Sequence, residues 1–209
     1  MNTVKNIGVY FDRYMSFEQH IDEIHKKVMG TLIYLNRVKD SFEPSTRVMV
    51  VQALAMSIIN YCLKVWGATN NTQIQRVQKL QNFAARVAVG NISKYDRISP
   101  ALKKLEWLKI KDKYVLDICT FVFNNLRKNF PDWLYNFLKV NEVSDVITRQ
   151  RNDLFIRRAK SDIGAREINV RGPQLYNKLP LEMRDAGSVF TFKNSLKKLL
   201  LNRNLQMSL

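Results

Sequence analysis

Residues Val4 to Ile21 read "VKNIGVYFDRYMSFEQHI", and the fold turns on how the first half of this stretch is satisfied. Val4 to Phe11 carries Val4, Val9, Tyr10 and Phe11, the β-branched and aromatic content that suits a pleated surface, with Gly8 marking a bulge or a close contact. It predicts one β-strand. A strand needs a neighbour for its N–H and C=O groups, yet the following hundred residues read as helix. The expected fold is therefore mainly α: a helical bundle preceded by one orphan β-strand, with a mixed strand, loop and helix segment at the C-terminal end.

Working outward from that stretch, Ser16 and Gln19 have the spacing of a capping box, and Phe17, Ile21, Ile24, Val28, Leu32, Leu35 and Val38 step by threes and fours along an amphipathic helix. Pro44 suits a first helical turn, and Thr46 to Val65 reads as a second helix, apolar nearly all round and ended by Gly67. Asn70, Asn71 and Thr72 offer caps for a third helix that puts Ile74, Val77, Leu80, Ala84 and Val87 on one face and stops at Gly90. Further on, a short helix from Pro100, a turn near Lys109 to Asp112, a longer helix through Arg127 and a short one around Trp133 are expected. From Val140 to about Pro180 the helical period is lost. Gly164, Gly172, Pro173 and Pro180 punctuate β-like runs at Leu154 to Ile156 and Ile168 to Val170. A last helix, Phe190 to Leu201, has Ser188 or Thr191 as its cap.

The 209 residues suit one large or two small domains, and 46% hydrophobic with 11% aromatic content is too apolar for a disordered tail. Thirty-four Lys and Arg against 18 Asp and Glu leave a net charge of +16, which calls for a polyanionic partner. Nucleic acid leads, because neutralising phosphates releases counterions, and an anionic membrane surface is second. Cys62 and Cys119 are too few for a disulfide framework and have no metal spacing, so both read as reduced core residues of an intracellular protein. The most apolar stretch, "RVMVVQALAMSIINYCLKVWG", is interrupted by Gln52, Ser57, Asn60 and Lys64 and reads as a buried helix, not a membrane span.

Catalytic signals are sparse. His20 and His25 are five apart, about 140° around a helix axis, so they do not share a face as paired metal ligands do. The aspartates Asp12, Asp22, Asp40, Asp96, Asp112, Asp117, Asp132 and Asp185 form no adjacent pair of the kind that holds two magnesium ions. Binding signals are richer. "ITRQRNDLFIRRAKSDIGAREINVRGPQLY" sets Arg149, Arg151, Arg157, Arg158, Lys160, Arg166 and Arg171 among Phe155 and Tyr176, and guanidinium groups with interleaved rings suit phosphate forks and base stacking. The competing reading is a solvated basic loop whose aromatics anchor it to the core. Lys193, Lys197 and Lys198 lie opposite the leucines of the last helix, where they could follow a phosphate backbone or simply face solvent.

Several short patterns occur in a telling order. Lys5, Asn6, Ile7, Gly8, Val9, Phe11 and Asp12 precede Met15, Ser16, Phe17, His20 and Ile21; then come Asn60, Tyr61, Val65, Trp66 and Gly67; then Leu80, Gln81, Ala84, Ala85 and Arg86; then Leu105, Trp107, Leu108 and Ile110. Arg171, Gly172, Pro173, Leu175, Tyr176, Asn177, Leu179 and Pro180 follow, and Phe192, Lys193, Leu196, Lys197 and Leu200 close the series. In this order the chain resembles the C-terminal part of reverse transcriptases encoded by non-LTR (LINE-type, jockey-like) retrotransposons. Ile7, Phe17 and Tyr176 depart from the family's usual Leu, Trp and Trp but keep the apolar or aromatic character.

The resemblance implies a thumb-like three-helix bundle at 16–90, preceded by a remnant of the last palm strand at 1–15. Further helices at 91–139 and a basic strand and loop segment with a terminal amphipathic helix at 140–209 complete the expected plan. It implies a truncated RNA-directed DNA polymerase that grips RNA, DNA or an RNA–DNA duplex, docks on a missing palm and is inactive alone. Magnesium belongs to the full-length polymerase and no cofactor to these residues; no small-molecule substrate and no membrane span are expected, and the place is nucleus or cytoplasm. The alternative is a stand-alone basic helical protein-interaction module, a decayed or domesticated relic.

Overall fold

The computed structural model describes residues 3–93, 95–128, 138 and 153–202. It is mainly helical. The opening stretch is two strands rather than one, β1 (Val4–Asn6) and β2 (Val9–Phe11), which pair antiparallel with Val4 opposite Phe11, Lys5 opposite Tyr10 and Asn6 opposite Val9. The strand finds its partner in itself. Ile7 and Gly8 form the two-residue loop with φ of 44° and 78°, the positive values at both central positions that a type I′ hairpin turn requires. Gly8 meets this freely, whereas a β-branched Ile7 does so against its preference. The Tyr61 hydroxyl donates to the Ile7 carbonyl at 2.8 Å and fixes the turn.

The expected Ser16–Gln19 box does not start the first helix, α1 (Glu18–Val38). Asp12 does the work instead: its carboxylate accepts from the backbone N–H of Tyr14 at 2.9 Å, Ser16 at 3.1 Å and Phe17 at 2.7 Å, and from the Ser16 hydroxyl at 3.0 Å. Burial pushes the Asp12 carboxyl up, but these four donors outweigh it and hold the group below 3.8. Gln19 Oε1 accepts from the Thr3 hydroxyl at 2.5 Å. Along α1, Ile21, Ile24, Val28, Leu32 and Leu35 are buried as their spacing requires.

The single helix expected over Thr46 to Val65 is broken. Pro44–Val51 forms α2, Gln52–Met56 a π-helical turn, Ser57–Asn60 α3 and Leu63–Trp66 α4, with Cys62 at φ 51° between the last two. An apolar surface on every side names no one face to bury. The breaks let Val51, Ala55, Met56, Ile59, Leu63 and Trp66 all turn inward while Met49, Leu54 and Val65 stay exposed. Gly67 follows at a site where a Cβ would lie 2.4 Å from the Tyr114 ring and 2.5 Å from the Leu63 carbonyl oxygen.

Helix α5 (Asn71–Val89) has the expected limits: Asn70 Oδ1 accepts from the Gln73 N–H at 3.0 Å, and Gly90 ends it at φ 97°. Both α1 and α2 pack on α5. Arg47 of α2 ties down its end, donating to the carbonyls of Ala88 at 3.0 Å and Val89 at 2.8 Å, and to Lys39 at 3.2 Å. After α6 (Ser99–Lys104), the turn expected at Lys109 to Asp112 comes earlier, and α7 runs Ile110–Lys128. Gln78 Oε1 accepts from the first N–H of α7 at 2.9 Å, and the buried Gln81 amide donates to Leu108 O at 2.8 Å.

Two compact units result, 1–114 and 115–209, with the division inside α7. In the second, Phe123 stacks on Phe192 of the terminal helix Val189–Asn202 at 4.2 Å between ring centres. Ser188 Oγ caps that helix by accepting from the Thr191 N–H at 3.1 Å. The β-like run at Ile168 to Val170 is the start of a helix, Ile168–Tyr176. Glu167 starts it by accepting from Arg171 N–H at 2.8 Å, and Gly172 permits close packing, since a Cβ there would sit 2.9 Å from Val122 Cγ2. Pro173, read as punctuation, lies within this helix at the loss of one backbone bond. Both cysteines are free thiols: Cys119 is buried, and burial pushes it up to about 12, while Cys62 is half-buried. The expected helix around Trp133 lies outside the described residues.

Candidate nucleic-acid interface

The basic segment begins at a fixed point. Leu154 is buried, and the Asn177 side chain pairs with its backbone as a neighbouring strand would, Oδ1 accepting from its N–H at 3.0 Å and Nδ2 donating to its carbonyl at 2.8 Å. Beside it, Arg184 pairs with Asp153 at 2.6 Å and donates to the carbonyls of Leu179 at 2.9 Å and of Asn177. Asp153 is thus engaged by Arg184. A second fixed point closes the stretch: Ser161 Oγ accepts from Gly164 N–H at 3.1 Å and caps the helix Asp162–Arg166.

Between these points Phe155, Ile156, Arg157, Arg158 and Lys160 are exposed on a segment without regular secondary structure. Phe155 at 51% exposure is a large ring with no burial reason to be there, next to two guanidinium groups. Cationic groups and an exposed ring on one short segment fit a phosphate backbone with its bases. Arg166 and Arg171 are half-buried on the two helices that follow. On the terminal helix Lys193 and Lys198 are exposed and Lys197 half-buried, while Phe192, Leu196 and Leu200 face the core. Arg149 and Arg151 lie outside the described residues. Tyr176 is buried rather than presented, and burial pushes its hydroxyl up to about 12, so it belongs to the core and not to the interface.

The first unit holds a feature that no sequence motif announces. The hairpin, α1 and α3 line an open cleft of about 530 Å³. His20, read from the sequence as a surface or packing residue, lines it at 4% exposure. Its position one residue before Ile21 and four before Ile24, on the buried face of α1, was the available signal.

Among the described residues no group of three or more His, Cys, Asp or Glu side chains gathers as a metal site. No helix among them is long and apolar enough to cross a membrane.

Over 92 residues the chain is 24% identical to a protein of Drosophila melanogaster named "Probable RNA-directed DNA polymerase from transposon X-element". The match covers 43% of this chain and 10% of that protein. No family model and no solved structure matches the chain. The similarity relates the chain distantly to a transposon polymerase of which it spans about a tenth.

Proposed function

We propose that these 209 residues form a nucleic-acid-binding thumb and C-terminal region of a non-LTR, jockey-like retrotransposon reverse transcriptase, without polymerase activity of their own. The similarity to the transposon RNA-directed DNA polymerase carries this reading. The charge of +16 and the exposed Arg157, Arg158 and Lys160 beside Phe155 support it. The helices α1, α2 and α5 correspond to the thumb, and the segment 153–202 adds a basic grip. The partner is RNA, DNA or an RNA–DNA duplex, with the palm of the same enzyme class as a second, protein partner. Magnesium belongs to the polymerase site of that palm.

A salt titration of binding to an RNA–DNA duplex tests the reading. The logarithm of affinity falls linearly with the logarithm of salt concentration, with a slope of about 0.9 per phosphate contact for a B-form duplex. Replacing Arg157, Arg158 and Lys160 together by Gln lowers the slope by up to about three contacts' worth. An unchanged slope removes this stretch as the contact surface. No duplex binding by the unaltered chain overturns the function and favours a protein-interaction module.

A further inference from the structure

The segment between the two fixed points presents more than charge. Phe155, Ile156, Arg157 and Arg158 are consecutive exposed residues, bounded by Leu154 at 3% exposure and by the half-buried Ala159. Both boundaries are built into the unit. The Leu154 backbone is paired to Asn177, and the Ala159 methyl lies against the helix Asp162–Arg166, 3.7 Å from the position a Gly164 Cβ would take. The exposed side chains are therefore carried on a stretch tethered at both ends, which lowers the ordering cost of binding a ligand.

Phosphates account for the cations and not for the apolar pair. Phe155 is 51% exposed and Ile156 43%, and a phosphate backbone offers neither of them a surface to cover. In a duplex the bases are stacked on one another and show only their edges in the grooves, so a ring finds a base face there at the ends alone. In an unpaired strand each base turns a π-face outward, and an aromatic side chain beside a cationic track stacks on it whatever the sequence. Arg157 and Arg158 follow Phe155 within three residues, at most about 11 Å of extended chain, so ring and guanidinium groups meet neighbouring nucleotides of one strand. An anionic lipid surface also accepts cations with apolar neighbours, but anchoring in its plane draws on a broad apolar helix face, and 155–159 forms no helix.

We propose that Phe155, with Ile156 beside it, stacks on an unpaired base next to the phosphates held by Arg157 and Arg158, so that the segment prefers a duplex with a single-stranded extension to a blunt one. The inference rests on the nucleic-acid reading above and deepens it by naming the class of ligand: a strand with unpaired bases. The cations set the salt dependence, and the ring sets the preference for unpaired bases.

The test titrates the full 209-residue chain against one RNA–DNA duplex in three forms: blunt, with an unpaired extension, and with an extension of equal length whose nucleotides are abasic. The abasic strand keeps the phosphates and removes the base faces. Affinity for the normal extension should exceed that for the abasic one about tenfold. Phe155→Leu should bring the two affinities together while the salt slope stays that of the unaltered chain, and Phe155→Trp should keep them apart. Phe190, 74% exposed on the terminal helix, is the control: Phe190→Leu should leave the ratio unchanged. Equal affinity of the unaltered chain for normal and abasic extensions overturns the inference. An equal loss on the blunt duplex in Phe155→Leu, or the same loss of the ratio in Phe190→Leu, does so too. If Phe155→Leu instead loses co-sedimentation with anionic phosphatidylserine vesicles and binds all three nucleic acids as before, the apolar pair belongs to a lipid surface and the inference falls. Salt-dependent duplex binding without a preference for bases sinks the stacking alone, whereas no binding to any of the three forms sinks the nucleic-acid reading itself.

Discussion

Residues 44–66 and α5 are neighbours of similar length and both are rich in apolar side chains, yet one is broken twice and the other is continuous. In α5 the apolar residues keep to one face, Asn70 closes the start and Gly90 the end, so local signals and packing agree. In 44–66 they lie all round. No continuous helix can bury them, and the π-helical turn and the left-handed Cys62 re-aim the chain so that Ile59, Leu63 and Trp66 reach the core. Apolar content alone sets burial; its periodicity sets whether a helix survives it.

If tertiary packing holds 44–66 together, the largest effects come from contacts at its ends. Gly67→Ala places a methyl against Tyr114 and the Leu63 carbonyl and should cost about 3 kcal/mol in urea unfolding. Gly30, in the middle of α1 with nothing within 4 Å of a Cβ, is the control: Gly30→Ala should stabilise by about 1 kcal/mol. Equal responses at the two glycines would erase the distinction. Arg47→Ala removes the fork that binds the segment to the end of α5 and should cost about 2 kcal/mol, with Lys recovering only part. A loss under about 0.5 kcal/mol, the level of an ordinary surface change, would make the clamp incidental. The smallest effect sharpens the contrast: Cys62→Gly relieves the left-handed backbone and should gain up to about 1 kcal/mol. A loss there would mean that the half-buried thiol matters more than the turn.

The same contrast explains what was legible in the sequence. Helix α5, the Pro44 start and the Ser188 cap were readable because each joins a local signal to a matching period. The hairpin was hidden because Ile7, a residue that favours strands, occupies a turn position usually marked by Asn or Asp. At 168–176, β-branched residues and a Gly-Pro pair pointed away from helix, and close packing on Val122 decided otherwise. Arg157, Arg158 and Lys160 could be read from composition. The Asn177 pairing with Leu154 and the His20 ring, without a hydrogen-bond partner among the described residues, could not, since both depend on neighbours that only the folded chain defines.

The two anchors of the arginine stretch also set its reach. Between Leu154, paired to Asn177, and Ser161, capping its helix, lie Phe155 to Lys160. Fully extended, six residues cover about 20 Å, while the duplex rises about 3.4 Å along its axis for each phosphate of one strand. In the proposed interface the stretch is therefore too short to join sites a full turn, about 34 Å along the axis, apart.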